Sequence, residues 1–244
     1  MKKFAADNLL FLRKTYPKIY ELVRNRTAKY DRIRFTTARN GQPVVAICDG
    51  GRETWLYSRY NPELETLRWA ESLLEDAEKS DNLLLFGFGL GYHAEAVLQM
   101  YPDKKLFIYE PDLDLFLAAI EQVDLRPVLD HRQVAMFAVG KESGVHEQML
   151  VDILSHAKGS FSFLAPPVYR KWHAELLQIF TERARNTAVS YIANDNTLLA
   201  FRKEWFENVF VNLGRNLRTR SFRGLQDSCA GVPAVIAGSG PSLG

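Results

Sequence analysis

Between residues 82 and 139 three continuous apolar runs alternate with helical periodicity, and this alternation limits the fold more than any other feature of the chain. "NLLLFGFG", "KKLFIYEP" and "RQVAMFAVG" show no polar/apolar alternation, as expected of strands buried on both faces of a parallel sheet. Between them, "YHAEAVLQMY" turns Ala94, Val97, Leu98 and Tyr101 inward as one helix, and "LDLFLAAIEQV" forms a second. The succession is a βαβαβ unit of Rossmann type, which makes the chain an α/β protein.

The flanks follow other patterns. Phe4, Leu9, Phe11, Leu12 and Tyr16 share a broad helical face before Pro17, and Ile19, Leu22 and Val23 continue it. "RIRFTT", "PVVAIC" and "ETWLY" read as short strands joined at Asn40-Gly41 and Asp49-Gly50-Gly51, strong hairpin signals that predict a small β-meander over 32–57. Asn61-Pro62 opens a helix in which Leu64, Leu67, Trp69, Leu73 and Leu74 recur at roughly helical spacing. From Pro166 two long helices are expected, "YRKWHAELLQIFTERARNTAVSYIAND" and "NTLLAFRKEWFENVFVNLGRNL". The second carries a stripe of Leu198, Phe201, Trp205, Val209 and Leu213. The expected organisation is an N-terminal helix and β-meander over 1–60, a Rossmann-like parallel-sheet domain over 61–165 and a long helical connector over 166–231. The start of a second α/β domain follows over 232–244.

Two glycine-rich loops carry the chemistry. Gly87-Phe-Gly89-Leu-Gly91 lies between a strand and a helix, and Glu110 ends the next strand. Glycines let a ligand approach the backbone, a helix N-terminus favours an anion, and an acid at that place can hold ribose hydroxyls. The loop departs from both familiar forms. Tyr92 stands where the dinucleotide fingerprint has its third glycine, and Leu85 stands where methyltransferases usually have an acid. The alternative is that the glycines only let strand and helix pack closely. The second loop, "PAVIAGSGPSLG", is a strand entering a tight turn, with Pro241 suited to a first helical turn. Gly238 and Gly240 keep that turn open, Ser239 and Ser242 offer hydroxyls, and no Walker lysine follows. A strand that ends inside such a motif reads as truncation within a nucleotide loop.

The remaining candidates have structural readings beside the functional ones. His93, His131, His146, His156 and His173 show no metal spacing, so no metal site is expected; His93 opens the helix after the first loop, as a ligand contact or a polar helix start. Asp112 and Asp114 form a carboxylate pair or simply complement a helix dipole. Arg215, Arg218, Arg220 and Arg223 could neutralise phosphate, though without aromatic platforms they suit a solvated connector end. Cys48 and Cys229 lie far apart and read as two buried thiols in a reducing compartment. With 47% hydrophobic and 25% charged residues and a net charge of +2, the chain has a sizeable core, and its charge gives no reason to invoke nucleic acid or membrane. Asp7 and Asn8 interrupt the signal-like start and no apolar run approaches the roughly 20 residues of a membrane span, so a cytoplasmic protein is expected.

"AVIAGSGPSLG", "FGFGLGYH", "LYSRYNPELETLRWAE" and "FRKEWFENVFVNL" together resemble the motility accessory factor (Maf) family of flagellin glycosyltransferases. The resemblance covers the N-terminal domain and only the first residues of the central domain, which is sialyltransferase-like and pterin pyrophosphokinase-like. It implies a CMP-activated nonulosonic acid as donor substrate, with no cofactor assigned, and a Ser or Thr hydroxyl of flagellin as acceptor. It carries Gly238, Ser239, Gly240, Pro241 and Ser242 over as donor-nucleotide contacts, and no catalytic base. Gly87, Gly89, Gly91 and Glu110 remain a second ligand loop without an implied ligand. As a fragment the chain would be inactive. Two other readings stand beside this one. The Rossmann-like unit could be a non-catalytic docking module whose meander and connector recruit flagellin or pair with a second copy as a homo-oligomer; or the Gly87 loop could serve an S-adenosylmethionine-dependent methyltransferase.

Overall fold

The computed structural model describes residues 4–141, 148–153, 159–187 and 230–233. The chain divides into two compact units, Met1–Tyr191 and Ile192–Gly244, and every described helix and strand lies in the first. Pro17 occupies the first position of a new helix and thereby separates α1 (Ala5–Thr15) from α2 (Pro17–Val23). The expected meander follows as β1 (Ile33–Thr37), β2 (Pro43–Asp49) and β3 (Arg52–Trp55), antiparallel in that order. Ile33 faces Ile47 and Ala46 faces Trp55 across the two pairings. Val44, Val45, Ala46 and Ile47 are all buried, so the middle strand is the one covered on both faces.

Asn61 caps α3 (Pro62–Glu71), its side chain accepting the Leu64 amide at 2.9 Å, and α4 (Leu74–Glu78) completes the segment. The predicted apolar stripe is buried only in part: Leu73 lies in the core and Trp69 packs against it. Pro62, Thr66 and Ala70 face inward, while Leu64 and Leu74 are exposed. Small side chains let α3 pack closely on α5 (Tyr92–Met100), and the Tyr101 hydroxyl donates to the Ala70 carbonyl.

A second sheet contains β4 (Asn82–Phe86), β5 (Lys105–Glu110), β6 (Val134–Val139) and β7 (Phe161–Leu164), all parallel in the order β6-β5-β4-β7. The first three are the predicted strands. The last was not expected: Phe161-Ser-Phe-Leu is short, lies at an edge and leaves Phe163 exposed, so it lacks the apolar continuity of its neighbours. Leu83 to Phe86 and Leu106 to Glu110, at the centre, are fully buried.

Helices α6 (Leu113–Gln122) and α7 (Arg126–Leu129) connect β5 to β6. The buried Asn8 side chain ties α1 to this region, donating to the carbonyls of Ile120 (2.8 Å) and Val123 (2.7 Å) and accepting the Leu125 amide (3.1 Å). The first connector helix is interrupted: α8 (Pro167–Trp172) ends where His173 turns to φ −116°, ψ 37°, and helical backbone resumes over 174–187. The second connector helix, Trp205, Phe201 and the Arg215, Arg218, Arg220 and Arg223 cluster lie outside the described residues, as does Cys229. Cys48 is a half-buried free thiol rather than a core residue. Among the described residues, no helix is long and apolar enough to cross a membrane.

Candidate functional site

In open α/β sheets ligands gather at the carboxyl ends of the strands, where the strand order reverses. Here that place lies between β4 and β7, and the Gly87 loop leaves β4 beside it. Gly87, Gly89 and Gly91 have φ of 107°, 59° and 94°, a region that side-chain-bearing residues rarely occupy. Gly91 then caps α5, donating its amide to the Phe88 carbonyl at 2.9 Å.

Three successive amides of the loop, those of Phe88, Gly89 and Leu90, are engaged by side chains of the chain itself. Glu110 Oε2 accepts the amides of Phe88 and Gly89, each at 2.8 Å, and the Tyr169 hydroxyl at 2.6 Å. Its other oxygen accepts the Asp112 amide at 2.8 Å. The Tyr57 hydroxyl accepts the Leu90 amide at 2.8 Å. A carboxylate thus sits where an incoming anion would find its donors. The close approach the glycines permit is likewise to protein: a Cβ on Gly87 would meet the Tyr169 ring at 2.5 Å, and one on Gly89 would collide with the Tyr57 hydroxyl. Burial pushes the Glu110 carboxyl up to about 7, outweighing the donors that favour its ionised form. Burial also raises the Tyr57 and Tyr169 hydroxyls well above their ordinary value, so both stay protonated at neutral pH.

His93 is not an exposed helix start. It is buried, stacked on Tyr57 at 5.2 Å and edge-on to Trp69 at 4.8 Å, with Nδ1 unpartnered among the described residues. Desolvation lowers it to about 3, so the ring is neutral. Asp112 caps α6 by accepting the Leu115 amide at 2.9 Å. His173 is buried against Trp172, with ring centroids 4.1 Å apart. Among the described residues no group of three or more His, Cys, Asp or Glu could hold a metal ion.

The structure therefore joins Gly89 and Glu110 in one hydrogen-bonded cluster, with Gly87 against the Tyr169 ring and Gly91 at the helical end. Gly238, Ser239, Gly240, Pro241 and Ser242 lie outside the described residues. Sequence reasoning missed Tyr57 and Tyr169, which close the loop. Tyr57 ends a meander run and Tyr169 lies in a connector helix, and neither run carries a local signal pointing to the loop.

The family model of the glycosyltransferase Maf N-terminal domain matches residues 56–188, from Tyr57's neighbour through the helix after His173. Among solved structures, the MAf glycosyltransferase from Magnetospirillum magneticum AMB-1 is similar, at 16% identity and a TM-score of 0.52. The likeness covers 77% of this chain and 35% of that one, so the chain spans about a third of that protein's length. No curated protein matches the chain. The structural likeness supports the fold, a parallel sheet preceded by an antiparallel one, and the sequence match spans more than half of the chain. On that match, the chain belongs to the Maf glycosyltransferase family, through its N-terminal domain.

Proposed function

We propose that this chain is the N-terminal part of an enzyme that transfers a nonulosonic acid from a CMP-sugar to Ser or Thr of flagellin. The observation that carries the reading is the Maf N-terminal match over 56–188. The donor would be held by the loop at Gly238, Ser239, Gly240, Pro241 and Ser242, whose backbone amides would stabilise the departing CMP. Incubating the full-length gene product with a CMP-nonulosonic acid and flagellin tests this by intact mass. A flagellin mass increase of one sugar, lost in Gly240→Asp, is expected; unchanged flagellin with every such donor would refute it.

Within that enzyme, the described unit acts as a docking module in the cytoplasm, and its own glycine loop takes no part in the chemistry. The occupation of the loop by Glu110, Tyr57 and Tyr169 favours this second element. The same occupation leaves no room over Gly87 for a methyl donor. Pull-down of flagellin by the 244-residue chain at low salt is the expected result. Failure to retain flagellin there would remove the docking role while leaving the transferase reading intact.

A further inference from the structure

Beside the closed glycine loop, the same edge of the parallel sheet has an open hollow. A cavity of about 600 Å³ lies at the ends of β5 and β6, roofed by the segment that runs from α2 into β1. That volume suits a ligand of mononucleotide size. Arg26, Lys29 and Arg32 enter from the roof, Lys141 from the end of β6, and Asp112 and Asp114 from the start of α6. Leu22, Leu117 and Val139 supply an apolar wall.

The charges are unevenly matched. Arg32 Nη2 lies 3.5 Å from Asp112 Oδ2, and the other Asp112 oxygen is already engaged in capping α6. One carboxylate thus orients the guanidinium and anchors the helix. Among the described residues no carboxylate lies within ion-pair distance of Arg26, Lys29 or Lys141. The excess is positive, and it is felt nearby. His173 is lowered to about 4, first by burial and then by Lys141, with Arg32 adding to the effect and Asp112 opposing it.

We propose that this hollow binds a phosphorylated sugar, either free or as the ribose phosphate of a mononucleotide. Arg32, Arg26, Lys29 and Lys141 take the phosphate, since guanidinium groups match its oxygens with paired donors. Asp114, half-buried at the mouth of α6, accepts from ring hydroxyls. Leu22 and Val139 cover the less polar face of the sugar or base. Binding to this hollow can be read without the donor loop or transfer chemistry, so the site stands or falls on binding alone.

Titration calorimetry on the 244-residue chain at low salt tests it, with ribose 5-phosphate, a purine and a pyrimidine nucleoside monophosphate, inorganic phosphate and unphosphorylated ribose as probes. Saturable binding of ribose 5-phosphate or a monophosphate, tighter than inorganic phosphate and absent for ribose, is expected. Tighter binding of ribose 5-phosphate assigns a free sugar phosphate, and tighter binding of one monophosphate assigns a nucleotide. Arg32→Ala should weaken binding about ten-fold or more, the usual loss for a charged hydrogen-bonding partner. Because that change also strips Asp112 of its cation, Arg26→Ala/Lys29→Ala, at two exposed positions, provides the variant that keeps the fold, and it should weaken binding by a similar factor. No saturable binding by any phosphorylated probe, equal binding of inorganic phosphate, or affinity untouched by the double substitution would each overturn the proposal.

Discussion

The carboxyl edge of the parallel sheet presents two mouths that differ in what fills them. At the end of β4, three glycines open the backbone, and the chain closes it again with Glu110, Tyr57 and Tyr169. On the neighbouring strands, at the ends of β5 and β6, no glycine motif marks the sequence, yet a hollow of about 600 Å³ stays open among four cations. Backbone permissiveness and ligand access are therefore separate properties. Glycine at a strand end allows close approach, and the tertiary structure decides whether the approaching group is a ligand or a side chain.

The comparison breaks most readily at Gly87. If Tyr169 truly occupies its open face, Gly87→Ala must both adopt a disfavoured φ of 107° and displace the ring, costing about 3 kcal/mol or more in denaturant unfolding. The double variant Gly87→Ala/Tyr169→Ala should then lose less than the two single changes together. A Gly87→Ala protein within about 1 kcal/mol of wild type would show the face to be empty.

Glu110 sharpens the contrast through pH. Its folded value of about 7 exceeds the ordinary 4.5, so the folded state holds the proton more tightly. Its stability contribution is complete below pH 4.5 and declines by about 3 kcal/mol as pH rises to 7. His93 and His173, lowered to about 3 and about 4, work in the opposite sense, losing stability as pH falls below their ordinary 6.5. The informative quantity is therefore the difference between wild type and Glu110→Gln, in which the histidines cancel. The glutamine cannot accept at both oxygens, so at pH 4.5 the variant should be less stable by about 1–3 kcal/mol, and the gap should close toward pH 7. A gap that widens with pH would mean that the loop's donors hold the carboxylate ionised.

Tyr57→Phe leaves the buried Leu90 amide without its acceptor and should cost about 1–2 kcal/mol, measured by urea unfolding. A loss below about 0.5 kcal/mol would imply that another acceptor replaces the hydroxyl. The smallest effect belongs to the open mouth. Arg26→Ala/Lys29→Ala should change stability by no more than about 0.5 kcal/mol, because these side chains are exposed and pair with no carboxylate among the described residues. A larger loss would make the hollow's cations part of the scaffold.

Much of the fold was legible because its signals are local. The apolar continuity of 82–86 and 105–110 reports burial on two faces, and each run of the three is a strand of the parallel sheet; 134–139 lies at the sheet's edge, so Ala135 is exposed and only Phe137 and Val139 are fully buried. Asn61 and Asp112 are helix caps, each accepting an amide three residues on. The reading failed where packing overrode pattern. Leu64 repeats like a core residue but faces solvent, because α3 uses Thr66 and Ala70 to approach α5; Leu74, at the start of α4, is exposed as well. Edge strand β7 buries too little to show an apolar run. His93, next to the loop in sequence, is buried in an aromatic stack with Tyr57 and Trp69 that its helix-start position did not suggest.

By itself, then, the sequence determined the element types, their βαβαβ order and the points where the backbone must turn. Each of these depends on neighbours within a few residues, and side-chain spacing encodes it directly. Only the tertiary structure decided which mouth is closed. Glu110 reaches Gly89 from 21 residues away, the Leu90 amide finds Tyr57 across 33, and Tyr169 reaches Glu110 across 59. Contacts at such separations arise when the sheet and its helices assemble, and no periodicity in the chain records them.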